Sequence, residues 1–222
     1  METWAFIIDE VVPYLNQGLW VSIQLIIPSA LGGILLGVVV GALRVYGNPF
    51  LKVPANIYAN LFRGTPLLVQ LFIIYFGLAK LGLKFPPFTA AVLGFVLCSG
   101  AYHSEYIRGG LQAIKEGQLK AAKALGFTTF QSVVSIIMPQ AFRRALPGCG
   151  NEVVYLIKYT SLAYIITCVE LTGEGKILAA ESFRYTEVFL VVGLYYLVLV
   201  TLATWGLRRL ENRLRIPGFE QS

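Results

Sequence analysis

The fold class that this sequence predicts is an all-α integral membrane protein of about five transmembrane helices, and three observations carry it. Of 222 residues, 56% are hydrophobic and only 14% charged, and the mean hydropathy is +0.68. A soluble domain carries about 25% charged residues. Secondly, the apolar residues gather in five runs at about 19–43, 66–83, 88–107, 146–167 and 188–207. Each is long enough, or nearly so, for a bilayer crossing of about 20 residues. The edges of the second and fourth are the least sharply marked. Thirdly, lysine and arginine favour one set of connections, as the positive-inside rule requires. If the N-terminus lies outside, the inside segments hold Arg44, Lys52, Arg63, Arg108, Lys115, Lys120, Lys123, Arg143, Arg144, Arg208, Arg209, Arg213 and Arg215. The outside segments hold only Lys80, Lys84, Lys176 and Arg184, and Lys158 falls within a span. This places the C-terminus and the 117–139 loop in the cytoplasm, within a single membrane domain spanning 1–222.

Several function classes are excluded early. The net charge of +6 comes from basic residues flanking apolar runs, so it does not point to nucleic acid. Cys98, Cys149 and Cys168 lie in or beside apolar segments without paired spacing, so they read as small buried hydrophobes rather than a disulfide frame or metal site. The N-terminal METWAFIIDEVVPYL is acidic and lacks a basic region before its apolar residues, so no removable signal peptide is expected. The phosphate-cradling pattern GxxxxGK[ST] is absent. At the nearest approach, Gly175-Lys176, Ile177 follows and Glu170 stands where the first glycine belongs. No Ser-His-Asp, zinc or paired-carboxylate constellation is evident. The chain is expected to be no enzyme and to carry no cofactor of its own.

In chain order, the first span carries Gly33, Gly37 and Gly41, a spacing that lets helices approach closely in lipid; packing within the chain is favoured over dimerisation. Pro28 can kink this helix without breaking it. Asn48-Pro49 and Pro54 then mark a turn or helix start, and residues 55–62 suit an interfacial helix. Arg63-Gly64-Thr65-Pro66 opens the second span, with Arg63 as a snorkelling anchor. The third span ends in SGAYHSEYIRGGLQAI. Glu105 is ionisable within a span and therefore a functional candidate, yet Arg108 lies three residues on and can pair with it. His103 reads as packing or as a polar lining group, and Tyr102 is a candidate lining residue.

The loop begins with Lys120 to Gly126, KAAKALG. Its helix formers end at a glycine able to take the left-handed conformation. Pro139 suits the first turn of the next helix. The fourth span, GNEVVYLIKYTSLAYIITCVEL, is the most polar. Tyr155 and Tyr159 follow Glu152 at helical spacing, so one face offers a carboxylate and two hydroxyls. Lys158 stands about 240° round the helix from Glu152, so the two face different ways and each is expected to find its partner on another span, in water or in a substrate. Asn151, Glu152, Tyr155, Lys158, Tyr159 and Ser161 are candidates for lining a solute pathway; bridging to neighbouring helices purely for assembly is the alternative for Glu152 and Lys158. LTGEGKILAAESFRYTE follows outside with helical character, and the tail RRLENRLRIPGFEQS reads as a basic interfacial helix end closed by Pro217-Gly218.

The spacing A-A-x3-G-x9-I-x-x-P, met by Ala121, Ala122, Gly126, Ile136 and Pro139, resembles the EAA loop of ABC importer membrane subunits. Lys120 stands where that family has its glutamate, and Met138 where it has leucine. FRGTPLLVQLF and the N-E…K-x-T-S-L pattern of the fourth span resemble the polar amino-acid branch of the same family. The resemblance covers about residues 15–216. It implies a type I importer permease architecture in a bacterial cytoplasmic (inner) membrane, with the 117–139 loop docking on an ATPase subunit. It also implies a dimer of ATPase subunits holding ATP and Mg, a second permease copy or paralogue, and a periplasmic or surface solute-binding protein that delivers a polar amino acid. The alternatives are an ion-gradient-driven transporter or channel without an ATPase, and a membrane scaffold. The sequence does not single out the amino acid.

Overall fold

The computed structural model describes residues 3–114 and 116–214. Lys115, Arg215 and the Pro217-Gly218 closure lie outside them. Among the described residues there are eight helices and no strand: α1 Thr3–Tyr46, α2 Pro49–Gly64, α3 Leu67–Lys80, α4 Pro87–Gln112, α5 Glu116–Ala124, α6 Thr129–Ile166, α7 Leu171–Ser182 and α8 Tyr185–Leu214.

α1 begins well before the apolar run that announces it. Asp9 and Glu10 lower the hydropathy there, but Phe6, Val11 and Leu15 are buried against Leu171, Leu178, Val188 and Val192 of α7 and α8. Burial of one face, not bulk hydropathy, makes this stretch helical. Pro13 and Pro139 sit inside helices, each two residues beyond the end of a π-helical segment, Ile7–Val11 and Val133–Ile137. Proline lacks an N–H and its ring collides with the carbonyl four residues back; a wider turn there relieves both problems. Pro139 does stand in the first turn of the regular α-helical segment Met138–Tyr159, as its sequence setting suggests, but the helix runs further back through the π-helical turn. α6 starts at Thr129, where Thr128 and Gln131 form a reciprocal capping box with Gln131 N–H to Thr128 Oγ1 at 3.2 Å and Thr128 N–H to Gln131 Oε1 at 2.9 Å. Pro28 likewise leaves α1 helical from end to end.

The glycine stripe of α1 meets α4. A Cβ on Gly37 would lie 2.3 Å from His103 Cβ, and one on Gly41 would lie 2.9 Å from Ile107 Cγ2. The stripe packs within the chain. Leu25, Leu71, Phe95, Leu156 and Ile166 extend this interface into a core shared by α1, α3, α4 and α6.

α1 and α8 are long and apolar enough to cross a membrane, and α2–α3 and α6–α7, bent by 108° and 53°, raise the number of crossings to four if each pair is one span. By sequence α4 makes a fifth. It is a 26-residue helix at the expected place, but Ser99, His103, Ser104, Glu105 and Arg108 dilute its hydropathy. Outward-facing Leu31, Leu35, Leu194 and Leu197 are about 60% or more exposed in the isolated chain, as lipid-facing side chains are.

Candidate functional site

The sharp bend between α2 and α3 creates a concavity. Pro66 holds extended backbone between the helices, and the side chain of Gln70 fastens the corner. Its Nε2 donates to Phe62 O at 2.8 Å, to Thr65 O at 3.0 Å and to Thr65 Oγ1 at 3.0 Å. These carbonyls lose their helical partners at the bend, and buried carbonyls need replacements. Beside the corner lies a cavity of roughly 430 Å³ lined by Arg63, Thr65, Leu67, Cys98, Tyr102 and Tyr159, among others.

Below Tyr102, one helical turn along α4, Glu105 gathers three guanidinium groups. Arg44 Nη2 lies 3.0 Å and Arg63 Nη1 2.6 Å from Glu105 Oε2, while Arg108 Nε donates to Oε1 at 3.0 Å and Arg108 Nη2 also reaches Oε1. The Glu105–Arg108 pair is the one expected from spacing. Arg44 and Arg63 come from α1 and α2, so the cluster ties three elements together. Arg44 is 7% exposed and also donates to Asn56 Oδ1 at 2.9 Å and Ser104 Oγ at 3.1 Å.

The polar residues of α6 divide. Tyr159 reaches the cavity; Tyr155 stacks on it with ring centroids 6.1 Å apart, and Lys158 Nζ lies 4.2 Å above the Tyr155 ring. Asn151 is exposed, and Ser161 donates back to Lys158 O at 2.7 Å. Glu152 is 2% exposed, and its Oε1 has no hydrogen-bond partner. His103 is likewise fully buried, its Nδ1 2.8 Å from Ser99 O and its Nε2 without a partner. Glu170 caps α7: Oε2 accepts from Thr172 N–H at 2.9 Å and Tyr196 Oη at 3.0 Å, and Oε1 accepts from Gly173 N–H at 3.0 Å. It is an assembly residue joining α7 to α8.

At the other end of α4 the loop forms a projecting knob. α5 presents Ala121 outward and buries Ala122, which is 3% exposed. Gly126 ends α5 with φ of +87°, and a Cβ there would meet nothing within 4 Å. Leu125 and Phe130 beside it are 79% and 77% exposed. Ile136 is half-buried and Pro139 exposed. The knob is fastened to the bundle by reciprocal Gln118–Gln140 bonds of 3.1 and 2.7 Å and by Arg144 Nη1 to Ala113 O at 3.0 Å. Sequence reasoning missed Gln70, Arg44 and the capping box. Only the last has a local signal, T-x-x-Q.

Comparison with known proteins identifies the family. The family described as binding-protein-dependent transport system inner membrane component matches residues 33–216. The chain is 36% identical over 207 residues to the glutamine transport system permease protein GlnP of Escherichia coli (strain K12), covering 92% of this chain and 94% of that one. It is 35% identical over 206 residues to the arginine transport system permease protein ArtQ of Bacillus subtilis (strain 168), with the same 92% and 94% coverage. The crystal structure of an amino acid ABC transporter with histidines superposes with a TM-score of 0.85 at 32% identity, covering 93% and 96% of the two chains. The inward-facing MetNI methionine ABC transporter shares the fold, with a TM-score of 0.78 at 20% identity and coverage of 91% and 97%.

Proposed function

Because the chain belongs to the family of binding-protein-dependent transport system inner membrane components, we propose that it forms the membrane pathway by which an ATP-driven importer admits a polar amino acid. It is a transport subunit and not an enzyme. In the proposed orientation the N-terminus faces outward, the knob at Gly126 faces the cytoplasm, and the bacterial inner membrane is the site. A pair of partner ATPase subunits holds ATP and Mg, an external solute-binding protein delivers the amino acid, and a second copy or paralogue completes the pathway.

The observation that carries this reading is the exposed knob at 117–139. This projection turns Leu125 and Phe130 outward while Ala122 and Ile137 anchor it to the bundle, and that fastening gives it a mechanical use. Ala122 and the Gln118–Gln140 pair fix α5 to α6, and Arg144 fixes α6 to the end of α4. A push on α5 by a closing ATPase pair therefore moves α4 and α6 together. Those two helices carry Tyr102 and Tyr159 into the cavity, so the knob and the cavity are the two ends of one lever. Tyr102, Glu105, Asn151, Glu152, Tyr155, Lys158, Tyr159 and Ser161 remain the proposed pathway residues, with Tyr102 and Tyr159 at its wall. Ala121, Ala122, Gly126, Ile136 and Pro139 are the proposed coupling residues.

Reconstitution with the partner ATPase and the binding protein tests the reading. ATP inside the vesicles should drive accumulation of at least one polar amino acid, and omission of the ATPase should abolish it. Accumulation driven by an ion gradient alone would favour the secondary-transporter alternative.

A further inference from the structure

The three guanidinium groups around Glu105 are not equivalent. Arg44 commits all three nitrogens to protein acceptors: Nε to Asn56, Nη1 to Ser104 and Nη2 to Glu105. Arg108 does the same, with Nε and Nη2 on Glu105 and Nη1 on Gln112. Arg63 commits only Nη1, to Glu105 Oε2. Among the described residues its Nε and Nη2 meet no acceptor, and Arg63 is also the member of the cluster that lines the cavity. Its guanidinium carbon lies 5.8 Å from the centre of the Tyr102 ring, another cavity wall.

Charge reinforces the geometry. One carboxylate faces three guanidiniums, so Arg44 and Arg108 already offset Glu105. The cluster keeps an excess of positive charge, and Arg63 is the member that carries it to the cavity wall. Glu105 holds Nη1, which fixes the planar fork and leaves its remaining edge to pair with a planar anion. Apart from Thr65, the rest of the lining is mostly apolar and aromatic, through Leu67, Leu162, Tyr102 and Tyr159, which suits the side chain of a small zwitterion better than a second anion.

We infer that Arg63 takes the carboxylate group of the transported amino acid and that Glu105 is the positioning residue that aims it. The inference rests on the amino-acid reading above. Every amino acid carries this carboxylate, so Arg63 supplies recognition of the class, while the aromatic wall meets the variable side chain. Loss of Glu105 leaves the positive charge in place but frees its direction.

The test uses the complete importer, this chain with its ATPase, in lipid nanodiscs. Binding of radiolabelled L-glutamine, L-arginine and L-histidine is measured in competition with each unlabelled amino acid and with its α-carboxamide, which removes the negative charge. Wild type should prefer the carboxylate form by at least about tenfold, the scale of one charge-assisted hydrogen-bonded pair. Arg63→Gln should bind at least about tenfold more weakly and lose the preference, Arg63→Lys should keep part of it, and Glu105→Gln should reduce it. A purely structural role for either residue would not move this ratio. Unchanged affinity and preference in Arg63→Gln, in an importer that accumulates one of these amino acids, would overturn the inference alone. If Arg63→Gln fails to assemble, an unchanged ratio in Glu105→Gln overturns it. A wild-type importer that accumulates no amino acid under ATP would overturn the amino-acid reading, and the inference with it.

Discussion

At the residue scale the buried polar groups act as joints. Glu170 accepts from two backbone N–H groups and from Tyr196, so it caps α7 and ties it to α8. Glu170→Ala should lower stability by about 2–4 kcal/mol, because a cap is lost and Tyr196 loses a charged acceptor. Thermal unfolding of the purified chain checks this, and a melting temperature unchanged from wild type would refute the assignment. Gly37→Ala should cost about 1–3 kcal/mol by overpacking, since its new methyl would lie 2.3 Å from His103 Cβ; the same melts measure it. How much was legible at this scale depended on distance along the chain. Glu105 and Arg108 announce their pairing because three residues separate them. Arg44 and Arg63 give no such sign, because only the folding of α1 and α2 against α4 brings them to Glu105. Glu152 was legible as polar within an apolar run, but its burial was not, because helical spacing gives a direction and not a depth.

At the scale of elements, hydropathy marked the apolar stretches of the long helices, while packing and capping set where the helices begin. α1 reaches back to Thr3 because Phe6, Val11 and Leu15 find a partner surface on α7 and α8, and that surface lies far along the chain. The start of α6 was hidden behind Pro139, which looks like a helix opener but is absorbed by the π-helical segment Val133–Ile137. Thr128-Thr129-Phe130-Gln131 was the local sign of the true start. Thr128→Ala should therefore loosen the first turn of α6 by about 1 kcal/mol, seen as faster proteolysis within the 117–139 loop; equal cleavage rates would contradict the capping assignment. Gly126 separates conformation from contact. With φ of +87° and open space where a Cβ would stand, any cost of substitution lies in the backbone. Asparagine tolerates positive φ far better than a β-branched residue does. Gly126→Asn should thus retain most ATP-driven uptake and Gly126→Val should lose most of it. Equal losses in the two variants would show that the turn conformation is not what matters.

At the scale of the molecule, the proposed function puts two working ends on one helical chain. One end is the knob carried by α5, fastened through α6 and α4. The other is the cavity at the α2–α3 bend, where Tyr102 and Tyr159 face Arg63. The all-helical membrane class was legible from composition and apolar runs, and the short helix that stops at Gly126 from the residues around it. The cavity was not, because it exists only where a 108° bend meets two helices distant in sequence. The most direct measurement is amino-acid uptake into proteoliposomes containing this chain, its ATPase and its binding protein, with and without internal ATP. The account predicts accumulation that requires both ATP and the ATPase. Accumulation that persists without the ATPase, or that follows an imposed ion gradient instead, would contradict it.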